Sequence, residues 1–150
     1  MKSISFLIIT IWLLQACQSN SISDNDLTKK AADTVNYTSI KWLDSLKDIG
    51  NIPAGKTAVI SFRFLNSGNK PLYVINVRPG CGCTLADYPK QPILPGKVGV
   101  IKADYNVHID GQGDFRKNLR VTTNTKEKTD NFIFFYGTIV KDTLTANKSK

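Results

Sequence analysis

The sequence predicts an all-β protein, an immunoglobulin-like (Ig-like) β-sandwich of about seven strands that follows a cleaved lipoprotein signal peptide and a flexible tether. After residue 38 the chain consists of short apolar runs bounded by turn residues, which is typical of sandwiches and barrels. No stretch in that region keeps a 3.6-residue hydrophobic period over three turns. The crossover helices of a doubly wound sheet are therefore missing, which favours the sandwich.

Length and composition set the limits of the fold. With 150 residues, 41% of them hydrophobic and 21% charged, the chain is long enough for one ordinary domain and too short for a large multidomain enzyme. Its three cysteines are too few for a scaffold built on disulfides.

The first sixteen residues have the form of a lipoprotein signal peptide. Lys2 precedes an apolar run over residues 4–14, which is the hydrophobic region of a secretory signal. At about 1.5 Å of rise per residue this run reaches about half of a roughly 30 Å hydrocarbon core, so a permanent transmembrane helix is not predicted. The next residues, Leu14-Gln15-Ala16-Cys17, resemble a lipobox, in which a small residue precedes the cysteine that is acylated.

Cys17 is therefore predicted to be the lipid-attachment residue. The lipobox resemblance implies a diacylglyceryl group on its sulfur and an amide-linked acyl chain such as palmitate, and more than one chain gives durable membrane attachment. A free thiol or a disulfide half is the alternative, which the position at the edge of the leader disfavours. The residue after Cys17 is Gln18 rather than Asp. By analogy with lipoprotein sorting, this favours the cell outer membrane, with the domain facing the periplasm.

Four segments follow from these patterns: the signal peptide (1–16), a lipidated flexible linker (17–37), the Ig-like domain (38–143) and a polar C-terminal tail (144–150). About twenty flexible residues span roughly 25 Å, enough to hold a domain clear of the lipid headgroups. Removal of the leader takes away only Lys2, so the formal charge falls from +8 to +7.

The strands are predicted from apolar or alternating runs. The five clearest runs cover residues 57–65, 71–77, 98–106, 115–123 and 131–140. A leading strand near residues 37–43 and a crossing segment near Tyr88 make about seven. In the first run Ile60, Phe62 and Phe64 alternate with polar residues and are expected to face the core. The runs are separated by Asn66-Ser67-Gly68-Asn69, by Pro95-Gly96 and by a hairpin-like loop over residues 108–114.

A series of motifs in fixed order resembles one bacterial family. The motifs are Phe64-x-Asn66-x-Gly68-Asn69-x-Pro71-Leu72, Gly80-Cys81-Gly82-Cys83-Thr84, Pro92-Ile93-x-Pro95-Gly96, Tyr105-Asn106 and Gly113-x-Phe115-x-Lys117. Together, over roughly residues 46–140, they resemble domain of unknown function 1573, a family of Ig-like modules frequent in lipoproteins of Bacteroidetes-type bacteria. Asp48-Ile49-Gly50 departs mildly from the Asp-Phe-Gly that members often carry. The resemblance implies a fold and a cell-envelope location, and it implies no activity.

Cys81 and Cys83 are the candidates for chemistry outside the leader, and several interpretations stay open. Two thiolates on a glycine-hinged loop suit Cu(I), whereas a closed zinc site needs about four ligands and His108 supplies at most one. The spacing differs from the Cys-x-x-Cys of redox pairs. A disulfide is allowed in the oxidising periplasm, and so small a ring would be readily reduced. The simplest interpretation is a tight, partly buried turn with cysteine as a small apolar side chain.

No catalytic constellation is visible, so no enzyme and no cofactor is predicted, with Cu(I) as the alternative at the cysteine pair. The glycine pairs at 80/82 and 111/113 lack the third glycine of a dinucleotide loop. The sole glutamate, Glu127, lies in a polar loop, so paired catalytic acids are not supplied. His108 could act as a base for Cys83 only if the fold brought them together.

The basic residues predict no nucleic-acid site. Arg116, Lys117 and Arg120 form one local group, but on a strand Lys117 points away from the other two. A solvated basic surface is the favoured interpretation, with attraction to anionic lipids or acidic glycans as the alternative.

The leading hypothesis is a non-enzymatic, lipid-anchored cell-envelope protein whose Ig-like module is used for interaction or scaffolding. Its partners would be the membrane, through the anchor, and a protein of the envelope, which an edge strand could bind by β-augmentation. The competing hypothesis is a copper-binding or thiol-redox protein that acts through Cys81 and Cys83.

Overall fold

The computed structural model describes residues 29, 34–107, 112–126 and 129–141. The predicted lipid-attachment residue Cys17, its leader, and His108 lie outside these residues. Within them the chain forms a short 3-10 turn at Thr34–Asn36 and eight strands. The strands are β1 (Ile40–Trp42), β2 (Leu46–Pro53), β3 (Thr57–Asn66), β4 (Val74–Pro79), β5 (Thr84–Asp87), β6 (Val98–Asn106), β7 (Gly113–Thr123) and β8 (Asp130–Val140).

The strands form two four-stranded sheets that share one core. The first sheet has the order β1-β3-β6-β5 and the second has the order β2-β8-β7-β4. All pairs are antiparallel except β2 and β8, which are parallel. Two packed sheets of mainly antiparallel strands are a β-sandwich, so the predicted fold class is confirmed. The described part of the chain contains no helix long and apolar enough to cross a membrane.

Alternating burial along the long strands builds the core. On β3 the predicted inward residues Ile60, Phe62 and Phe64 are at most 3% exposed. Their neighbours across the core are aromatic: the ring centroids of Phe62 and Phe135 are 6.5 Å apart, and those of Tyr105 and Phe135 are 5.4 Å apart in an edge-on arrangement. These contacts between β3, β6 and β8 join the two sheets, since tilted and edge-on ring pairs add to the burial of apolar area.

Four of the predicted runs coincide with β3, β6, β7 and β8 to within two residues at each end, and two predictions are wrong. β4 begins at Val74 rather than residue 71, because Leu72 instead forms an isolated bridge with Ile93. The loop over residues 108–114 does not form a hairpin, because β6 and β7 belong to different sheets.

β2 is a strand that the sequence pattern did not predict. Its residues Gly50, Asn51 and Pro53 are turn formers, yet the segment pairs in parallel with β8. The register shifts between Asp48 and Asn51, and Gly50 takes a positive φ of 66°. The irregularity is a bulge that a glycine accommodates.

Two fully buried asparagines hold the loops at one end of the sandwich, which we call the asparagine end. Asn66 accepts hydrogen bonds from Thr38 Oγ1 at 3.0 Å and from the Gly68 amide at 3.1 Å. Its side-chain amide donates to the carbonyl oxygens of Lys70 and Ile93, each at 2.8 Å. The side chain therefore meets all of its own hydrogen-bonding needs in the absence of water.

Asn124 has the same role for the neighbouring segments. Its amide donates to the carbonyl oxygens of Asn36 at 2.9 Å and Pro71 at 3.0 Å, and its carbonyl accepts from the Tyr73 amide at 2.8 Å. Thr38 also bridges to Thr125. The described chain thus enters the sandwich at the asparagine end.

Candidate functional site

The outward face of the second sheet carries a line of aromatic side chains. Phe132, Phe134 and Tyr136 alternate along β8 with buried Ile133 and Phe135. Phe132 is 51% exposed and Tyr136 is 38% exposed. Because successive side chains on a strand point to opposite faces, β8 presents aromatic rings both to the core and to solvent.

Two arginines lie beside these rings, and a third lies one strand further from them. Arg120 is opposite Phe132 and Arg116 is opposite Tyr136 in the β7–β8 ladder, and the Arg116 guanidinium lies 4.8 Å from the ring centroid of Phe134. Arg78 of β4 is opposite Arg120. We call this set the arginine–aromatic face, and its members are Phe132, Phe134, Tyr136, Arg78, Arg116 and Arg120.

The local sequence pattern did not predict this face. Lys117 does point away from Arg116 and Arg120, as predicted, and its Nζ lies 5.9 Å from the ring centroid of Tyr105. Arg78, however, is distant in sequence and joins the two arginines only through the β4–β7 register. The aromatic line could have been detected locally. Within residues 131–140 both the odd-numbered and the even-numbered positions carry apolar side chains, whereas a strand with one solvated face is expected to alternate apolar and polar residues.

Charge on the face is only partly neutralised. The Arg120 guanidinium donates to the Asp130 carboxylate, and Thr122 Oγ1 donates to the same carboxylate at 2.7 Å. The hydrogen bond from Arg120, followed by that from Thr122, lowers the pKa of Asp130. Among the residues that the structure describes, no carboxylate pairs with Arg78. The face therefore keeps unneutralised positive charge beside its rings.

An open groove of about 800 Å³ continues the face toward β2. Gly137 is one of its lining residues, and an added Cβ there would lie 2.5 Å from the Gly50 carbonyl oxygen. Asp48 and Asp114 line the groove, with the Asp48 carboxylate accepting from the Gly50 amide at 2.8 Å. Asp114 accepts from Thr138 Oγ1 at 2.6 Å. The surface beside the arginine–aromatic face is thus concave. The two carboxylates that line the groove already accept hydrogen bonds from within the chain.

The outward face of the first sheet has a different composition. Exposed Val59 and Leu85 are separated by Asp104 in the register of β3, β6 and β5. Arg63, on the same face, donates to both carboxylate oxygens of Asp44, at 2.8 and 3.2 Å. No line of aromatic rings lies among the described outward residues of this sheet. The first sheet therefore supplies matched control positions for the second.

The edges of the two sheets resist a partner strand. β1 and β5 have only three and four residues. β2 is bulged at Gly50, and β4 ends in Pro79, which lacks an amide donor. Short strands, bulges and prolines are the devices by which proteins protect sheet edges. A partner is therefore better accommodated on the face than by β-augmentation.

The Cys81 and Cys83 sulfurs are bonded to each other in the structure, with the Cα atoms 5.3 Å apart. The pair lies between β4 and β5, and Cys83 is 4% exposed. A Cu(I) site would need both sulfurs as thiolates, so copper binding stays a prediction for the reduced pair. Across the described ranges, no three His, Cys, Asp or Glu side chains cluster as a metal site would require.

Solved structures of low sequence identity share the fold. A protein of unknown function from Porphyromonas gingivalis W83 is 15% identical, with a TM-score of 0.62, over 70% of this chain and 48% of that one. This chain thus spans about half the length of that protein. The ASH/PapD-like domain 7 of human CEP192 is 9% identical, with a TM-score of 0.53, over 71% of this chain and 89% of that one. These likenesses show an Ig-like, PapD-like sandwich and nothing of function.

The remaining comparisons concern sequence. No curated protein sequence matches the chain significantly. The model of a family described as "Protein of unknown function (DUF1573)" matches residues 40–139, a range that begins with β1 and ends one residue before the end of β8. The match covers two thirds of the chain and confirms the resemblance in its motifs: the chain belongs to the DUF1573 family.

Proposed function

We propose that this chain is a non-enzymatic protein-interaction module, held at the cell envelope by a lipid anchor on Cys17. The arginine–aromatic face is the observation that supports the proposal. Aromatic residues and arginine are the types that supply most of the binding energy at protein interfaces, whereas lysine and glutamate are depleted there. Phe132, Tyr136 and Arg116 are exposed together on one rigid sheet, which costs little conformational entropy on binding.

The partner is a protein that presents carboxylates beside apolar side chains. Arg78 and Arg120 lie directly opposite each other, and a carboxylate placed between them would accept hydrogen bonds from two planar guanidinium groups. Phe132 then supplies the neighbouring apolar contact, since it lies opposite Arg120. This combination favours an acidic, partly apolar protein surface over a purely polar glycan.

The face is large enough for such a partner. The second sheet holds 8, 11, 11 and 6 residues in its four strands, and at about 3.3 Å per residue and about 4.8 Å between strands they cover roughly 570 Å² in projection. A standard interface buries about 800 Å² of accessible surface on each side, which is of the same order. The groove beside Gly137 adds a concave surface that a partner side chain could fill.

The anchor and the tether place the module in this proposal. Acylated Cys17 would hold the protein in the outer membrane, facing the periplasm, and the linker of about twenty residues would let the face reach a partner roughly 25 Å from the bilayer. An exported module does not meet nucleic acid, so the arginines are assigned to a protein.

The test places a photocrosslinker on each sheet face in turn. p-Benzoylphenylalanine is incorporated at position 132, on the arginine–aromatic face, or at position 59, on the outward face of the first sheet, in the full-length chain in its own cells. We expect discrete protein adducts from position 132 and none of comparable yield from position 59. Equal adducts from both positions, or adducts with lipid alone from position 132, would contradict the proposal.

A further inference from the structure

The Cys81–Cys83 disulfide lies where the chain passes from the second sheet to the first, between β4 and β5. Backbone hydrogen bonds hold both ends of this crossover. The Gly80 amide donates to the Asn118 carbonyl at 2.9 Å, and the Asn106 amide donates to the Cys83 carbonyl at 2.8 Å. β7 and β6 therefore hold the crossover in place without the disulfide.

The ring that the disulfide closes contains only three residues. A disulfide stabilises a fold chiefly by removing conformations from the unfolded chain, and that effect grows with the number of residues enclosed. So short a ring removes few conformations. The bond therefore adds little stability to a crossover that is already hydrogen-bonded, and its reactivity is the better explanation for it.

The two cysteines differ in access. Cys83 is 4% exposed and packs in the core, whereas Cys81 is half-buried at its edge. In thiol–disulfide exchange a thiolate attacks one sulfur while the other leaves, and it approaches from the side opposite the leaving sulfur. Cys81 is the more exposed of the two residues, whereas Cys83 is enclosed by the core. Attack at Cys81 is therefore favoured.

Thr84 lies beside both sulfurs and is slightly nearer to that of Cys81. Its Oγ1 is 3.9 Å from Cys83 Sγ and 3.6 Å from Cys81 Sγ, and the residue is 5% exposed. A hydroxyl donates a stronger hydrogen bond to a thiolate than to a neutral sulfur. Thr84 is thus placed to stabilise the negative charge that develops on Cys83 when the bond breaks.

We propose that Cys81–Cys83 is a thiol–disulfide exchange site that oxidises dithiols, with Cys81 as the attacked sulfur and Cys83 as the leaving sulfur. One thiolate of the incoming dithiol bonds to Cys81 Sγ, and the electron pair of the broken bond passes to Cys83 Sγ, which takes a proton from water. The second thiolate then attacks the dithiol sulfur of this mixed disulfide, so Cys81 leaves and is protonated.

Two electrons thereby pass from the dithiol to the cysteine pair, and the dithiol departs as a disulfide. The reaction is stoichiometric, one dithiol for each domain. It goes beyond the proposed interaction role and does not depend on the arginine–aromatic face.

The test identifies the sulfur that takes the first thiol. The oxidised full-length chain is treated with limiting 2-mercaptoethanol, quenched in acid with N-ethylmaleimide and digested with trypsin. Both cysteines lie in the peptide over residues 64–90, because Lys70 and Arg78 each precede a proline and are not cut. We expect mercaptoethanol on Cys81 with maleimide on Cys83, in at least about tenfold excess over the reverse, since Cys81 is the more exposed.

The matched control is the same chain treated in urea, where both sulfurs are accessible and the two adducts should form in similar amounts. Adducts divided equally in the folded chain, or two free thiols after air oxidation, would overturn the proposal. So would a folded disulfide that resists dithiothreitol at concentrations that reduce the unfolded one. Thr84→Val should slow exchange severalfold and Thr84→Ser should restore it, and an unchanged rate in Thr84→Val would remove Thr84 from the mechanism.

Discussion

Arg78 on β4 and Arg120 on β7 lie directly opposite each other on the outward face of the second sheet. Like charges in this position destabilise a sheet by a few tenths of a kcal/mol to about 1 kcal/mol. Asp130 neutralises Arg120, whereas within the described ranges no carboxylate pairs with Arg78. Residues that lower stability are tolerated where they serve binding, so the pair links the energetics of the sheet to the proposed function.

Arg78→Glu should raise stability and abolish partner binding. The substitution turns a like-charge pair into an opposite-charge pair with Arg120, which should add about 0.2 to 1 kcal/mol to the free energy of unfolding. The same change removes one guanidinium from the face that the partner's carboxylates are proposed to contact. Urea unfolding and crosslinking from position 132 measure the two effects.

The control for Arg78→Glu is Lys41→Glu, an equal charge change at an exposed position of β1 in the first sheet. It should leave the adducts from position 132 unchanged. Loss of adducts in both variants would show that net charge, and not this face, governs binding.

Cys17→Ala should leave the precursor uncleaved, with residues 1–16 still attached, and unable to incorporate labelled palmitate. The reason is that acylation of the lipobox cysteine precedes cleavage and supplies the membrane attachment. Gel mobility and mass spectrometry of the membrane fraction measure this. Cys81→Ala is the matched cysteine control and should be processed normally. Full membrane attachment of Cys17→Ala at the mature size would refute the anchor.

Asn66→Ala should destabilise the fold by about 3 kcal/mol, because several buried groups lose their partners and each loss costs about 1 to 3 kcal/mol. Those groups include the carbonyl oxygens of Lys70 and Ile93. Asn69→Ala, at an exposed position in the same turn, should change the free energy of unfolding by less than about 0.5 kcal/mol. Similar chemical denaturation midpoints for the two variants would contradict the role of Asn66.

Gly137→Ala should also destabilise the protein, by about 1 to 3 kcal/mol, as small-to-large changes in close-packed sites do. The added Cβ would lie 2.5 Å from the Gly50 carbonyl oxygen, so β2 must shift away from β8. Gly82→Ala is the control, since a Cβ there meets nothing within 4 Å. Thermal unfolding measures both, and equal midpoints would show that β2 adapts without cost.

Asp44→Asn should remove a stabilisation that depends on pH. A hydrogen bond from the Arg63 side chain, and less strongly one from the Arg63 backbone amide and the nearby charge of Lys47, lower the pKa of Asp44 to about 2. A carboxyl whose pKa is lower in the folded state stabilises the fold above its unfolded pKa, and this contribution is lost as the pH falls from about 4 to about 2.

The wild type should therefore exceed Asp44→Asn by at most about 1 kcal/mol at neutral pH, as expected for a solvent-screened ion pair, and match it near pH 2. Urea unfolding across this range measures the difference. Asp87→Asn, at an exposed position of β5, is the control for removal of a surface carboxylate and should change the free energy of unfolding at neutral pH by less than about 0.5 kcal/mol. A difference for Asp44→Asn that persists below pH 2 would point to a cause other than ionisation.

Local patterns predicted the strands in which buried and exposed residues alternate, because a few consecutive residues suffice to show the alternation of apolar and polar side chains. β6, where every second residue is buried, was placed without error for that reason. β2 escaped prediction because its glycine, asparagine and proline are turn formers, and only the ladder with β8 makes the segment extended.

The candidate face depends on register, which local patterns do not contain. Arg78 and Arg120 are separated by 41 intervening residues, and only the β4–β7 ladder brings them together. For the cysteines, the spacing of Cys81 and Cys83 was compatible with a turn, a disulfide or a metal pair, and the turn was the simplest interpretation. The difference in burial between them arises from the packing of two sheets.

The parallel pairing of β2 with β8 determines how the domain would bear a mechanical load. The described chain enters at the asparagine end, and both β2 and β8 run toward the opposite end. A force applied between the N-terminal side of the domain and the C-terminal end of β8 would pull these two strands in opposite directions along their length. The hydrogen bonds between them would then have to break together rather than one at a time, so the domain should resist stretching far more than a hairpin unzipped from its open end.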